Sequence, residues 1–151
     1  MSKTKIPAGC PCGGGPSLAA CCGPYLDGFA DGSALPATAE LLMRSRYTAY
    51  TLKNELYLRA TWHPSTRPAE RIIDPDEPLQ WLGLEVKSTL RLRQRKEDHP
   101  GQDYVEFVAR FRQHGKGQRL HEISRFLREP DPALGGTPRW FYVDGDFPTK
   151  E

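Results

Sequence analysis

The sequence has no long apolar run. Nothing in its 151 residues approaches the roughly 20 consecutive apolar positions a membrane-crossing helix needs, so no membrane partner is expected. It also has little net charge: 21 basic against 19 acidic residues leave +2. That excess is too small to argue for nucleic acid, because dedicated binders carry a clear basic surplus on one face. The first ten residues hold two lysines but no apolar stretch, so a secretory signal is not expected. The lipoprotein reading of Pro7-Ala8-Gly9-Cys10 fails on the same ground, which leaves a cytoplasmic location as the expectation. No cysteine follows Cys22. A hydrophobic fraction of 38% with 26% charged residues excludes a disordered chain and fits a folded one. The length allows one ordinary domain with a small appendage, large enough to bury a core without staples.

The four cysteines that are present lie together, in Cys10-Pro-Cys12-Gly-Gly-Gly-Pro-Ser-Leu-Ala-Ala-Cys21-Cys22-Gly23. In a reducing compartment such a cluster points to metal before disulfides. Four thiolates in two pairs joined by a short loop can wrap one ion tetrahedrally, and zinc is the default for a closed sulfur site. The glycines allow tight turns and leave backbone N–H groups free to face thiolate sulfur. Redox-active or buried thiols, or a strained Cys21–Cys22 disulfide, remain the alternatives. Four sulfur ligands close the coordination sphere, so a structural zinc is expected rather than a catalytic one.

The spacing C-x-C, eight residues, C-C resembles the SEC-C zinc motif, best known from the tail of the SecA translocation motor, with Cys22 as the fourth ligand. Longer stretches resemble the YchJ-like family of bacterial proteins: Cys21-Cys22-Gly-Pro-Tyr-Leu-Asp-Gly28, Leu42-Met-Arg-Ser-Arg-Tyr-Thr-Ala-Tyr50, Thr61-Trp-His-Pro-Ser-Thr-Arg-Pro68, His121-Glu-Ile-Ser-Arg-Phe126 and Trp140-Phe-Tyr-Val-Asp-Gly145. The resemblance covers almost the whole chain. It implies an α+β, cone-shaped domain like that of nuclear transport factor two, with one structural zinc per chain. It brings no established activity. The expected division is a zinc knuckle over residues 1–30 and the cone-shaped domain over 31–151.

The residues of the body lead separately to the same architecture. A Gly- and Ser-rich loop from Gly28 to Pro36 precedes a helix that starts at Pro36 or Thr38 and runs to about Leu52. At about 100° per residue, Ala39, Met43, Tyr47 and Tyr50 share one face, with Leu42 at its edge and Arg46 among them. A second helix is expected over Asn54 to Thr61, with Leu56, Tyr57 and Ala60 buried and Trp62-His63-Pro64 ending it. The Pro-rich stretch from Pro64 to Pro78 reads as a loop. Alternation then predicts a half-buried strand with Leu82, Leu84, Val86, Ser88, Leu90 and Leu92 on one face. Further strands are expected over Tyr104–Arg112, Arg119–Arg128 and Trp140–Val143, with a hairpin turn in His114-Gly-Lys-Gly117. Helices followed by a run of antiparallel strands give an α+β fold with helices on one face of a curved sheet.

With Gly115-Lys116 as the turn, Phe111 pairs with Leu120, Ala109 with Glu122, Phe107 with Ser124 and Val105 with Phe126. Glu122 and Ser124 then share the apolar face. An arginine and a glutamate both facing a core call for a partner, and a buried Arg46–Glu122 ion pair is the simplest one. Such a pair would keep Glu122 ionised. The pair either ties helix to sheet or belongs to a polar cavity lined by Arg46, Tyr47, Tyr50, His63, Glu122 and Ser124.

Three functions follow as expectations. The first is a binding module, with the knuckle docking a protein partner and the cavity holding a small-molecule ligand. The second is an isomerase- or dehydratase-like enzyme using the cavity, for which no residue is assigned as catalytic because no motif names a reaction. The third is a nucleic-acid-associated protein using the basic strand Lys87, Arg91, Arg93, Arg95 and Lys96. A monomer or a homodimer is compatible with each.

Overall fold

The computed structural model describes residues 9–74, 76–87 and 101–147. The cysteine loop leads into a short helix α1 (Gly23–Gly28), whose first turn holds Pro24, where a missing N–H costs nothing. Helix α2 (Ala39–Thr51) starts at Thr38, whose hydroxyl accepts from the Leu41 N–H at 3.1 Å. Helix α3 (Glu55–Ala60) is capped in the same way by Asn54, which accepts from the Tyr57 N–H at 3.1 Å. Four strands follow: β1 (Leu79–Lys87), β2 (Gln102–Gln113), β3 (Lys116–Asp131) and, after a 3-10 turn at Pro132–Leu134, β4 (Thr137–Asp146). They form one antiparallel sheet in the order β1-β2-β3-β4. This is the α+β arrangement expected from the sequence.

The sheet's inner face meets α2 and α3. Leu42, Met43 and Tyr47 from α2 and Tyr57 and Leu58 from α3 are buried with Phe107, Ala109 and Phe126 from the sheet. Cys10, Cys12, Cys22 and Leu26 belong to the same core, so the cysteine loop is packed into the body of the protein. Tyr57 is wholly buried, and its hydroxyl meets Ser45 Oγ at 2.6 Å, which satisfies the one polar atom it takes inside. Beyond α3 the chain continues as a further edge. The His63 N–H donates to the Tyr142 carbonyl and the Tyr142 N–H donates to the Thr61 carbonyl, at 2.7 and 2.8 Å.

Three sequence expectations are corrected. The hairpin turn is His114-Gly115, with Gln113 paired to Lys116. Both turn residues have positive φ, 53° and 79°, as a two-residue turn matching strand twist requires. Phe107 therefore pairs with Glu122 and Val105 with Ser124, a shift of two that leaves every side chain on its expected face. On β1 a bulge between Trp81 and Gly83 breaks the alternation, so Trp81, Leu84 and Val86 face the core while Leu82 is 47% exposed. On α3 the buried pair is Tyr57 and Leu58, and Leu56 faces solvent at 72% exposure. The continuation of the strand through Ser88, Leu90 and Leu92, and the basic residues Arg91, Arg93, Arg95 and Lys96, lie outside the described residues. Lys87, the described member of that basic set, pairs with Glu85 at 3.4 Å.

Candidate metal centre and internal cavity

The four cysteines converge. Their sulfurs all lie within 4.8 Å of one another, and all four are free thiols. Cys12 Sγ is 3.6 Å from both Cys21 and Cys22, and Cys21 is 3.9 Å from Cys22. A tetrahedron with zinc–sulfur bonds of about 2.3 Å has sulfur–sulfur edges of about 3.8 Å, so the spacing suits such an ion. The loop geometry has a visible cause at Gly15. A Cβ there would lie 2.6 Å from the Cys21 Cβ, so a side chain at this position would displace a thiol.

Backbone and side-chain donors surround the sulfurs. The Gly14 N–H donates to Cys12 Sγ and the Thr48 hydroxyl donates to Cys22 Sγ, each at 3.3 Å. Arg44 Nη1 donates to the Cys12 carbonyl at 3.0 Å, while its Nε pairs with Glu40. The thiols also share charge unequally. Hydrogen bonding from Cys22, helped by the Gly14 N–H, holds Cys12 down to about 5. Cys22 is pushed up by its bond to Cys12 and by burial, and burial pushes Cys21 up to about 11. One thiolate forms readily and then opposes the next, the behaviour of a set that a divalent cation would complete. Spacing, donor type and charge all fit a closed four-sulfur metal site.

The second feature lies on the other side of α2. Between α2 and the sheet is a cavity of about 230 Å³. Its walls are mainly apolar, with Met43, Trp81, Phe107, Leu120 and Phe126 prominent. Trp81 stands at the centre of an aromatic group, with ring centroids 5.5 Å from Tyr47, 6.0 Å from Tyr50 and 5.4 Å from Phe111. The polar groups at its wall are Arg46, Tyr47, Tyr50, Glu122, Ser124 and Tyr142. Five of the six residues expected to line a cavity are thus brought together. His63 is elsewhere: its ring bonds Ser65 Oγ at 2.7 Å and Glu129 at 2.8 Å, beside a separate surface groove. Tyr142 was missed, because four residues of isolated strand gave no pairing partner from which to read its face.

The expected Arg46–Glu122 ion pair does not form. Arg46 Nη1 donates to the Leu58 carbonyl at 2.9 Å and to Thr61 Oγ1 at 2.7 Å. The guanidinium carbon lies over the Tyr142 and Trp62 rings, 4.6 and 5.2 Å from their centroids. Glu122 Oε2 instead accepts from the Ser124 and Tyr142 hydroxyls, at 2.7 and 3.1 Å. The Leu58 carbonyl and the Thr61 hydroxyl at the end of α3 hold the arginine in place of Glu122. Burial then raises the Glu122 carboxyl above its ordinary value, against the two hydroxyl bonds and the more distant Arg46 charge. The expectation of a firmly ionised Glu122 is corrected accordingly. Burial likewise lowers Arg46 and raises Tyr50 and Tyr142.

A raised carboxyl favours the fold when protonated, so its contribution is full below about pH 4.3, the unfolded value, and fades as pH rises through the folded value. Glu122→Gln keeps an acceptor for both hydroxyls and removes this titration. Melting curves from pH 4 to 8 are expected to show the variant gaining on the parent as pH rises. A constant difference across that range would contradict the assignment.

Comparison with known proteins places these features. A family model described as YchJ, middle NTF2-like domain, matches residues 38–145. UPF0225 proteins from Cupriavidus pinatubonensis and Chromobacterium violaceum are each 50% identical to this chain. The alignments cover 93% and 95% of this chain and 90% and 96% of theirs. A SEC-C motif containing protein from Psychrobacter arcticus superposes with a TM-score of 0.71 at 27% identity, covering 95% of this chain and 84% of that one. A second SEC-C motif containing protein, from Rhodopseudomonas palustris, gives 0.61 at 30% identity, covering 92% of this chain and 98% of that one.

Proposed function

The chain belongs to the YchJ-like family, and we propose that it is a zinc-stapled binding protein whose NTF2-like cavity holds a small molecule. The observation that carries the reading is the cavity. A pocket with aromatic and aliphatic walls and a few convergent polar groups is the usual form of a small-molecule site. Here the convergent groups are Arg46, Glu122, Ser124 and Tyr142. At about 230 Å³ it is smaller than the roughly 300–1,000 Å³ of sites for drug-sized ligands, so the ligand is small. Binding is favoured over catalysis because His63 and His121, which could serve as bases, both bond outside the cavity. His121 bonds Glu106 at 2.6 Å on the sheet's outer face, and His63 bonds Glu129. Glu122, the remaining candidate, is already held by two hydroxyls.

Zinc is the ion that fits a closed set of four thiolates, and its role is to hold the cysteine loop against α2. Thr48→Val is expected to weaken zinc binding about 10-fold, the lower end for loss of a hydrogen bond to a ligand atom. Competition with a chromogenic chelator measures this, and an unchanged affinity would remove Thr48 from the site. The cavity reading is tested by titrating a fragment library into protein carrying labelled methyl groups. Ligands are expected to shift Met43 and Leu120 and to leave Leu134, in the separate groove, unmoved. A library without a single hit at Met43 and Leu120 would defeat it.

A further inference from the structure

We infer that the cavity is built for a small monocarboxylate with a flat, apolar body, its carboxylate paired with the Arg46 guanidinium. The inference rests on the cavity being a ligand site. Arg46 is 4% exposed and in salt-bridge contact with no carboxylate among the described residues. A buried cation of this kind is ordinarily paired, because its desolvation is costly. The nearest acid facing the same space, Glu122, is turned to Ser124 and Tyr142. Nη1 is committed to Leu58 and Thr61, and the guanidinium carbon lies over the Tyr142 and Trp62 rings. Arg46 lines the cavity beside Tyr50, whose hydroxyl takes a hydrogen bond from it. A guanidinium offers planar N–H donors, the geometry that a planar carboxylate matches.

The rest of the cavity narrows the class. One cation balances one negative charge, and among the described residues no second cation lines the cavity to offset a dianion such as a phosphate monoester. Trp81, Phe107 and Tyr50 offer aromatic surface to the body of the ligand. Glu122, Ser124 and Tyr142 already satisfy one another, so they recognise at most one further polar group at the far end.

Benzoate and benzamide make a direct test, because they share shape and differ in charge. Affinities at pH 7 are read from the Met43 and Leu120 methyl shifts. Benzoate is expected to bind about 10-fold or more tightly than benzamide, the worth of one charge-assisted pair. Arg46→Met is expected to erase the preference, and Arg46→Lys, which keeps charge without the fork, to restore part of it. Equal binding of the two probes, or a preference that survives Arg46→Met, would overturn the inference and leave the cavity as a site for neutral ligands. If neither probe moves those methyls while other fragments do, the carboxylate class is likewise wrong. Only the absence of every cavity ligand removes the underlying reading as well.

Discussion

Stripping the metal with a strong chelator, or replacing Cys12 by Ser, is expected to lower the melting temperature by about 10 °C. Cys12 is wholly buried, and two other cysteines of the cluster, Cys10 and Cys22, are buried with it. They share a core with Leu26, Leu42 and Tyr57, so the loop cannot be released without uncovering α2. Without an ion, four sulfurs packed this closely either keep their protons or repel one another as thiolates. Zinc-finger peptides gain about 10–16 kcal/mol of apparent binding energy from the ion. This protein has a separate sheet and helices to hold it, so a loss of about 3–5 kcal/mol is the expected scale. At about 2–4 °C per kcal/mol for a chain of this size, that is about 10 °C. Cys21→Ser is expected to cost less, because Cys21 is only partly buried and sits on the solvent side of the cluster. The measurements are zinc content by mass spectrometry and melting with and without chelator. A metal-free protein with an unchanged melting temperature would return the cysteines to a redox reading.

The convergence of the four cysteines was legible because a cluster of that kind depends on residue type and short spacing, both local. The same holds for the helices: Thr38 and Asn54 are caps, and caps announce helix starts wherever the tertiary structure lies. Which side chains share the sheet's inner face was also legible, because alternation survives a register error of two. The hairpin position itself was not, since it depended on His114 taking positive φ, which few non-glycine residues do. Leu82 was misplaced because a bulge inserts a residue that no hydrophobic pattern records. The partner of Arg46 was the largest omission. Its acceptors are the Leu58 carbonyl and the Thr61 hydroxyl, and a carbonyl has no sequence signature.

Helix α2 joins the two features. Arg44 and Thr48, four residues apart, face the cysteine loop, where they bond the Cys12 carbonyl and Cys22 Sγ. Met43, Arg46, Tyr47 and Tyr50 line the cavity on the opposite side. Loosening the cysteine loop therefore bears on the helix that positions Arg46. A chelated protein is expected to lose cavity ligands before it loses its sheet.

Arg46→Met separates stability from binding more sharply than any other substitution. The change removes Nη1 bonds to Leu58 and Thr61 worth about 1–3 kcal/mol, and cation–π contacts worth about 1–2 kcal/mol. It also removes the desolvation of a buried guanidinium that no carboxylate offsets, a cost of several kcal/mol. Methionine is unbranched and adapts to the space beside Trp62 and Tyr142. The terms nearly cancel, so the variant is expected to fold with stability within about 1–2 kcal/mol of the parent. Carboxylate binding in the cavity is expected to vanish. Urea titration reads the first quantity and ligand titration the second. If Arg46 serves only to tie α2 to α3, the opposite pattern follows: stability falls by about 3–5 kcal/mol, the cost of breaking a buried charged network. A residue kept in place at no gain in stability is one whose charge is held for a ligand.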